Sequence, residues 1–167
     1  MTQPSVSPSP AAARLADQLE RSFRGGSWHG PSVLEALSGV DAATAAARPI
    51  ADAHTIAEIT GHVAAWLDVA ARRLGGERAG DLSPEANFPP AAAGSDEAWR
   101  GTLEALDEAH RRLHTATAAL SDEELEAPVA GSDPTVRGLL LGVLQHNVYH
   151  AGQIVILAKA AAGGARA

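Results

Sequence analysis

The fold of this chain is decided by residues 138–157, which read GLLLGVLQHNVYHAGQIVIL. Six of its positions recur at spacings of three or four residues: Leu139, Val143, His146, His150, Gln153 and Leu157. This spacing is typical of one face of an α-helix. His146 and His150 are therefore expected one turn apart on a face that also carries leucines, with about 6 Å between their Cβ atoms.

Polar side chains on such a face must find partners. Burying an unpaired imidazole or amide costs about 1–3 kcal/mol, so two histidines and a glutamine need a partner that they can share. A divalent metal ion bound by both imidazoles meets this need. The alternative is that each histidine is a hydrogen-bonded core residue, because His-x-x-x-His pairs also arise by chance on helices.

Composition limits the fold class and the function. The chain has 167 residues, of which 46% are hydrophobic and only 4% aromatic, and it is poor in the β-branched and aromatic residues that strands favour. One all-α domain follows. A net charge of −7 argues against a nucleic-acid phosphate surface. There is no cysteine, no signal-peptide pattern and no long apolar run, so a cytoplasmic location is expected.

The rest of the chain predicts a four-helix bundle with long crossover loops. Residues 1–10 are rich in proline and serine and predict a disordered tail, and residues 11–162 form the bundle domain. Capping boxes at Ser32/Glu35 and Thr55/Glu58 predict two helix starts. We expect loops at residues 75–94 and after Ser121. The long helices are predicted at residues 11–23, 55–74, 96–120 and 135–161.

A third histidine joins the pair on an inward helix face. His62 recurs with Ile59, Val63 and Trp66 on the inward side of the helix at 55–74. Three imidazoles and one open position are the catalytic arrangement of zinc and related metals. We therefore predict His62, His146 and His150 as metal ligands, with Gln153 as either a core residue or a group that orients a ligand.

The other four histidines are weaker candidates. His110 and His114 form a second His-x-x-x-His pair, but they lie in a polar neighbourhood, and we expect neither to bind the metal. His29 and His54 precede helices, where they form loop hydrogen bonds or line the mouth of the metal pocket. The three tryptophans are expected in the core: Trp28, Trp66 and Trp99.

Two stretches resemble a known family. Residues 55–66, TIAEITGHVAAW, and residues 145–154, QHNVYHAGQI, are similar to the DinB/YfiT-like family of proposed metalloenzymes. The Trp28–Ser32 turn resembles one branch of that family, and the likeness covers about residues 11–160. The resemblance implies a four-helix bundle, often a homodimer, with zinc or nickel held by His62, His146 and His150. It also implies that the relatives of this chain include thiol-dependent S-transferases and an isomerase.

Two functions remain open from the sequence. The first is a metal-dependent transferase or hydrolase that activates water or a low-molecular-weight thiol cosubstrate, since the chain has no thiol of its own. The second is a dimeric metal-binding stress or interaction protein without turnover. No carboxylate accompanies the histidines on the inward faces, so no general base is evident. Metal affinity is expected to fall as the pH drops through about 6.5.

Overall fold

The computed structural model describes residues 9–78, 80, 82–90, 94–131 and 134–164. Over these residues the chain is all-α, as predicted, and its extended pairing is one isolated bridge between Pro128 and Thr135. None of the described helices is both long and apolar enough to cross a bilayer. The helices are α1 (Pro10–Arg24), α2 (Val33–Leu37), α3 (Ala42–Ala46), α4 (Ile56–Leu74), α5 (Pro84–Asn87), α6 (Asp96–Ala118), α7 (Asp122–Glu126) and α8 (Val136–Gly164).

The four long helices α1, α4, α6 and α8 correspond to the four predicted from the sequence. Both predicted capping boxes are present: Ser32 and Glu35 exchange hydrogen bonds at the start of α2, and Thr55 and Glu58 do so at the start of α4. These bonds satisfy backbone N–H groups that have no partner within the helix. The second box fixes where α4 begins, and hence the height of His62 in the bundle.

The start of α1 corrects the predicted tail. The Ser9 hydroxyl accepts hydrogen bonds from the N–H groups of Ala11 and Ala12, and Pro10 occupies the first turn. Proline suits this position because its missing N–H would have no partner there. The predicted tail of residues 1–10 is therefore wrong for Ser9 and Pro10, and residues 1–8 lie outside the described residues.

Each of the two segments predicted as loops contains a short helix. Ser83 caps α5, and Ser121 opens α7 with a capping box to Glu124. Helices of four or five residues are too short to show a hydrophobic period, so the sequence pattern missed both. The α5 segment packs on α4. Pro89 lies so close to Gly61 that a Cβ there would be 2.7 Å from its Cγ.

The long helices form a closed ring around one core. In the described structure, α1 and α4 each pack against both α6 and α8, and α1 does not contact α4. This packing supports the predicted four-helix bundle. Each long helix contributes side chains that are no more than 1% exposed: Phe23, Leu67, Leu106, Leu140 and Ile154.

The histidine face of α8 lies at the edge of its buried surface rather than at the centre. The most buried residues of α8 are Leu140, Asn147 and Ile154, each 0% exposed, whereas His146 and Gln153 on the predicted face are partly exposed. Because α8 contacts α1, α2 and α4, it buries a wider sector than one stripe. His146 therefore lies on the side of α8 that borders α4 and solvent, whereas His150 is only 5% exposed.

Candidate metal centre

Helices α4 and α8 bring together the three histidines predicted as ligands. His62 comes from α4, and His146 and His150 come from successive turns of α8. The Nε2 atom of His146 lies 2.9 Å from Nε2 of His62 and 3.1 Å from Nε2 of His150. Ligand atoms of all three side chains lie within 4.8 Å of one another, so the group could hold a metal ion.

Hydrogen bonds at the opposite ring nitrogens fix the tautomers of two rings. His62 Nδ1–H donates to the backbone oxygen of Asn87 at 2.7 Å, and His150 Nδ1–H donates to Oε1 of Gln153 at 2.7 Å. In a neutral imidazole this leaves a lone pair on Nε2, the atom that faces the cluster. Both rings are therefore prepared to bind a cation through Nε2.

The donor set fits a divalent ion better than it fits hydrogen bonding alone. His146 Nε2 faces the lone pairs of both His62 and His150, yet a neutral imidazole nitrogen carries at most one proton. Hydrogen bonds therefore satisfy the three nitrogens incompletely. A divalent ion would accept all three lone pairs, and imidazoles are common ligands of such ions.

Burial keeps these imidazoles neutral. Desolvation lowers the pKa of His146 to about 3, helped by the neighbouring charges of His150 and His62. Desolvation likewise lowers the pKa of His150 to about 4, against the opposing effect of the Gln153 hydrogen bond. The pKa of His62 is also lowered, mainly by burial. Since only the neutral ring can bind a metal, all three side chains are in the binding form at neutral pH.

A family model for the DinB superfamily matches residues 27–154. The chain belongs to the DinB superfamily. The match runs from the turn before α2 into α8, and it includes His62, His146 and His150. No curated protein and no solved structure matches the chain. The family resemblance seen in the two histidine stretches is confirmed.

In this DinB-superfamily chain, α5 and the residue after it, Phe88, contact His62. Asn87 accepts from His62 through its backbone oxygen, and its side-chain oxygen accepts from Trp66 Nε1 at 2.8 Å. Phe88 stacks on His62 with 4.1 Å between ring centroids, and on its other side it stacks on His54 at 3.6 Å. Sequence analysis missed Asn87 and Phe88, because a backbone acceptor carries no residue signature and the ring on which Phe88 stacks depends on how this segment packs on α4.

On the α8 side, Gln153 and Tyr149 form the corresponding support. Gln153 holds His150 with Oε1 and donates from Nε2 to the Tyr149 hydroxyl at 3.0 Å. The Tyr149 ring lies 4.9 Å from the His150 ring, edge to face. Gln153 was expected either in the core or beside a ligand, and it lies beside a histidine of the cluster. Tyr149 precedes Gln153 by one helical turn, a spacing from which the sequence analysis drew no conclusion.

The remaining histidines lie outside the cluster. His110 is 1% exposed, stacks on Phe23 and has its Nε2 2.9 Å from Glu20 Oε2. The His114 ring is 6.0 Å from that of His110, on α6. His29 lines a separate groove beside Val148, so it does not line the mouth of the metal pocket.

Two of the three tryptophans differ from the expected core positions. Trp99 is buried as predicted, but Trp66 is only partly buried and belongs to the support around His62. Trp28 is 98% exposed, so its predicted core position is wrong. Its turn lies between Gly26 and Gly30, whose φ angles of +86° and +130° favour glycine. These glycines let the turn carry the indole away from the helices.

Substituting single histidines should identify the ligands. We expect His146→Ala and His150→Ala to abolish stoichiometric metal, and His62→Ala to do the same because a two-histidine pair on one helix binds more weakly than a three-histidine site. Elemental analysis measures the metal content of each variant, and calorimetric titration measures its zinc affinity. His110→Ala and His114→Ala are the controls and should keep one ion per chain. A His62→Ala variant with unchanged affinity would show that α4 supplies no ligand.

The pH dependence of zinc affinity should reflect the lowered pKa values. His146 and His150, with pKa values of about 3 and 4, take up no protons near pH 6.5, and burial also lowers the pKa of His62, so protons compete with zinc only at lower pH. We therefore expect zinc affinity to vary little from pH 7.5 to about 5 and to fall below that, instead of falling through pH 6.5 as the ordinary pKa of histidine predicts. Competition titrations with a chelator measure this, with folding followed by circular dichroism. A steep loss that starts at pH 6.5 would mean that the rings are not desolvated.

Proposed function

We propose that this protein is a metal-dependent enzyme of the S-transferase or hydrolase type. His62, His146 and His150 would hold one divalent ion, zinc or nickel, through their Nε2 atoms. The observation that carries the proposal is the convergence of these atoms while Asn87 and Gln153 fix the opposite ring nitrogens. An arrangement with both ring orientation and tautomer fixed is suited to binding and activation at an ion.

When bound, such an ion would lower the pKa of water or of a thiol cosubstrate at its open position. The chain contributes no cysteine, so a thiol must arrive with the substrate. The described cluster contains three imidazoles and no carboxylate. A thiol, with a free pKa of about 8.5, needs less help from a base than water with its pKa of about 15.7. This favours the thiol cosubstrate over water.

The alternative, a metal-binding stress or interaction protein without turnover, would be favoured by a sealed site. Here a groove with a volume of about 260 Å³ lies between α4 and α8, and His146 is one of its lining residues. His146 is also partly exposed, in contrast to His62 and His150. A route from solvent to one of the three rings supports an enzyme. We place its work in the cytoplasm, which suits a chain without cysteine.

Metal content and thiol transfer test the proposal together. Native mass spectrometry with elemental analysis of freshly purified protein should give one zinc or nickel ion per chain. The reconstituted protein should then accelerate conjugation of a small thiol such as N-acetylcysteine to an electrophile such as monochlorobimane. His62→Ala is the matched inactive control. One ion per chain without acceleration of this reaction or of ester hydrolysis would favour the protein without turnover.

We also propose that two copies associate through the outer face of α8, which we define by Leu141, Val148, Tyr149 and Ile156. These side chains are 38–63% exposed, and the sequence has no Asp, Glu, Lys or Arg between Arg137 and Lys159. A run of large apolar side chains on a charge-free helix face marks an interaction surface. A twofold dimer would bury the same face on both copies.

Sedimentation tests this homodimer. The wild-type protein should sediment as a dimer at micromolar concentration. Leu141→Glu combined with Ile156→Glu should give a folded monomer, because it places buried charges of like sign across the interface. Thr115→Glu changes an exposed residue of α6 and serves as the control. A wild-type monomer at this concentration would rule the dimer out.

A further inference from the structure

The groove between α4 and α8 has mostly apolar walls. Trp66, Val69 and Ala70 line it from α4, and Leu139 and Val143 line it from α8. Its volume of about 260 Å³ is slightly below the roughly 300 Å³ at which pockets for small molecules begin. The walls therefore suit a small apolar group rather than a peptide or a large cofactor.

Glycines on α8 keep the groove open. Gly138 and Gly142 lie one turn apart and both line the groove. A Cβ at Gly142 would meet no atom within 4 Å, so close packing against another part of the described chain does not require glycine there. Glycine also weakens a helix interior relative to alanine. The absence of a side chain at this position has one visible consequence, which is the free volume of the groove.

One end of the groove lies at the histidine cluster. His146 lines it, whereas His62 and His150 are 7% and 5% exposed and lie behind. The groove follows α8 from Gly138 to His146, which at 1.5 Å per residue is about 12 Å. Arg73 lines it on the α4 side, about 11 residues beyond His62. An elongated molecule in this groove would have one end against His146.

We infer that this groove binds the apolar body of the substrate, a small amphiphilic molecule with an alkyl or aryl chain of about 12 Å or less and one polar head. The head would lie at the three histidines and the body along Trp66, Val69 and Val143. This inference rests on the proposed function, because the head needs a bound ion. It adds the substrate class to that function. It also assigns to Gly142 the role of setting the greatest length of apolar chain that the groove accepts.

Two probes that share one polar head distinguish the contribution of the apolar body to affinity from the contribution of the head. Acetohydroxamate carries a metal-binding head and no tail, and octanohydroxamate carries the same head with six more methylene groups. Each buried methylene strengthens binding about fourfold. We expect the zinc-loaded protein to bind octanohydroxamate at least about 100-fold more tightly than acetohydroxamate, with some of the tail left exposed. Isothermal titration calorimetry measures both constants, and elemental analysis after titration checks the zinc.

Variants at two exposed glycines test whether the octanohydroxamate tail lies in the groove between α4 and α8. Gly142→Leu fills the groove and should reduce the ratio of the two affinities below about 10, and Gly142→Ala should give an intermediate ratio. Gly101→Leu on α6, where a Cβ also meets nothing within 4 Å, is the matched control and should keep the wild-type ratio. Both helices should tolerate leucine, which is a better helix former than glycine.

The outcomes separate this inference from the proposed function. If zinc and acetohydroxamate bind but the tail adds less than tenfold, the apolar groove is not the substrate site. The same holds if Gly142→Leu keeps the wild-type ratio. If the protein takes up no zinc, the proposed function fails and the inference fails with it.

Discussion

The histidine cluster depends on the packing of α4 against α8, which places Nε2 of His62 2.9 Å from Nε2 of His146. Bringing three imidazoles out of water is unfavourable unless they are neutral and have partners. The pKa of His146 is lowered to about 3, so the rings meet as neutral donors of lone pairs. The same burial that would destabilise a set of charged histidines prepares these side chains for a cation.

Orientation of the rings comes from two different sources. His150 is held from within its own helix, because Gln153 is three residues further along α8 and reaches its Nδ1. His62 is held from outside, by the backbone of Asn87 and the stacked ring of Phe88. Gly61 allows this segment to lie against α4, because a Cβ there would overlap Pro89. The connection between α4 and α6 is therefore part of the site and not only a link between helices.

A second buried histidine shows why burial alone does not make a metal site. His110 is 1% exposed and desolvation lowers its pKa, but its Nε2 pairs with the Glu20 carboxylate. No second imidazole converges on that nitrogen in the described structure, and His114 is 6.0 Å away between ring centroids. The partner of His110 Nε2 is a carboxylate from α1, and the buried Nδ1 of the same ring has no hydrogen-bond partner among the described residues. The partner that would satisfy the cluster at His146 is an ion.

The sequence by itself determined the all-α class, the four long helices and the one-turn spacing of His146 and His150, because hydrophobic period, capping residues and glycine stops are local properties of the chain. The inward face of its helix and the family resemblance predicted His62 as the partner of His146 and His150, but only the tertiary structure shows the ring nitrogens meeting across 84 positions of sequence. Tertiary structure also decided that Asn87 and Phe88 support the site and that Trp28 is exposed. Spacing gives the direction in which a side chain leaves its helix. Which neighbour it meets, and whether it lies at the centre or the edge of the core, depends on how the helices pack.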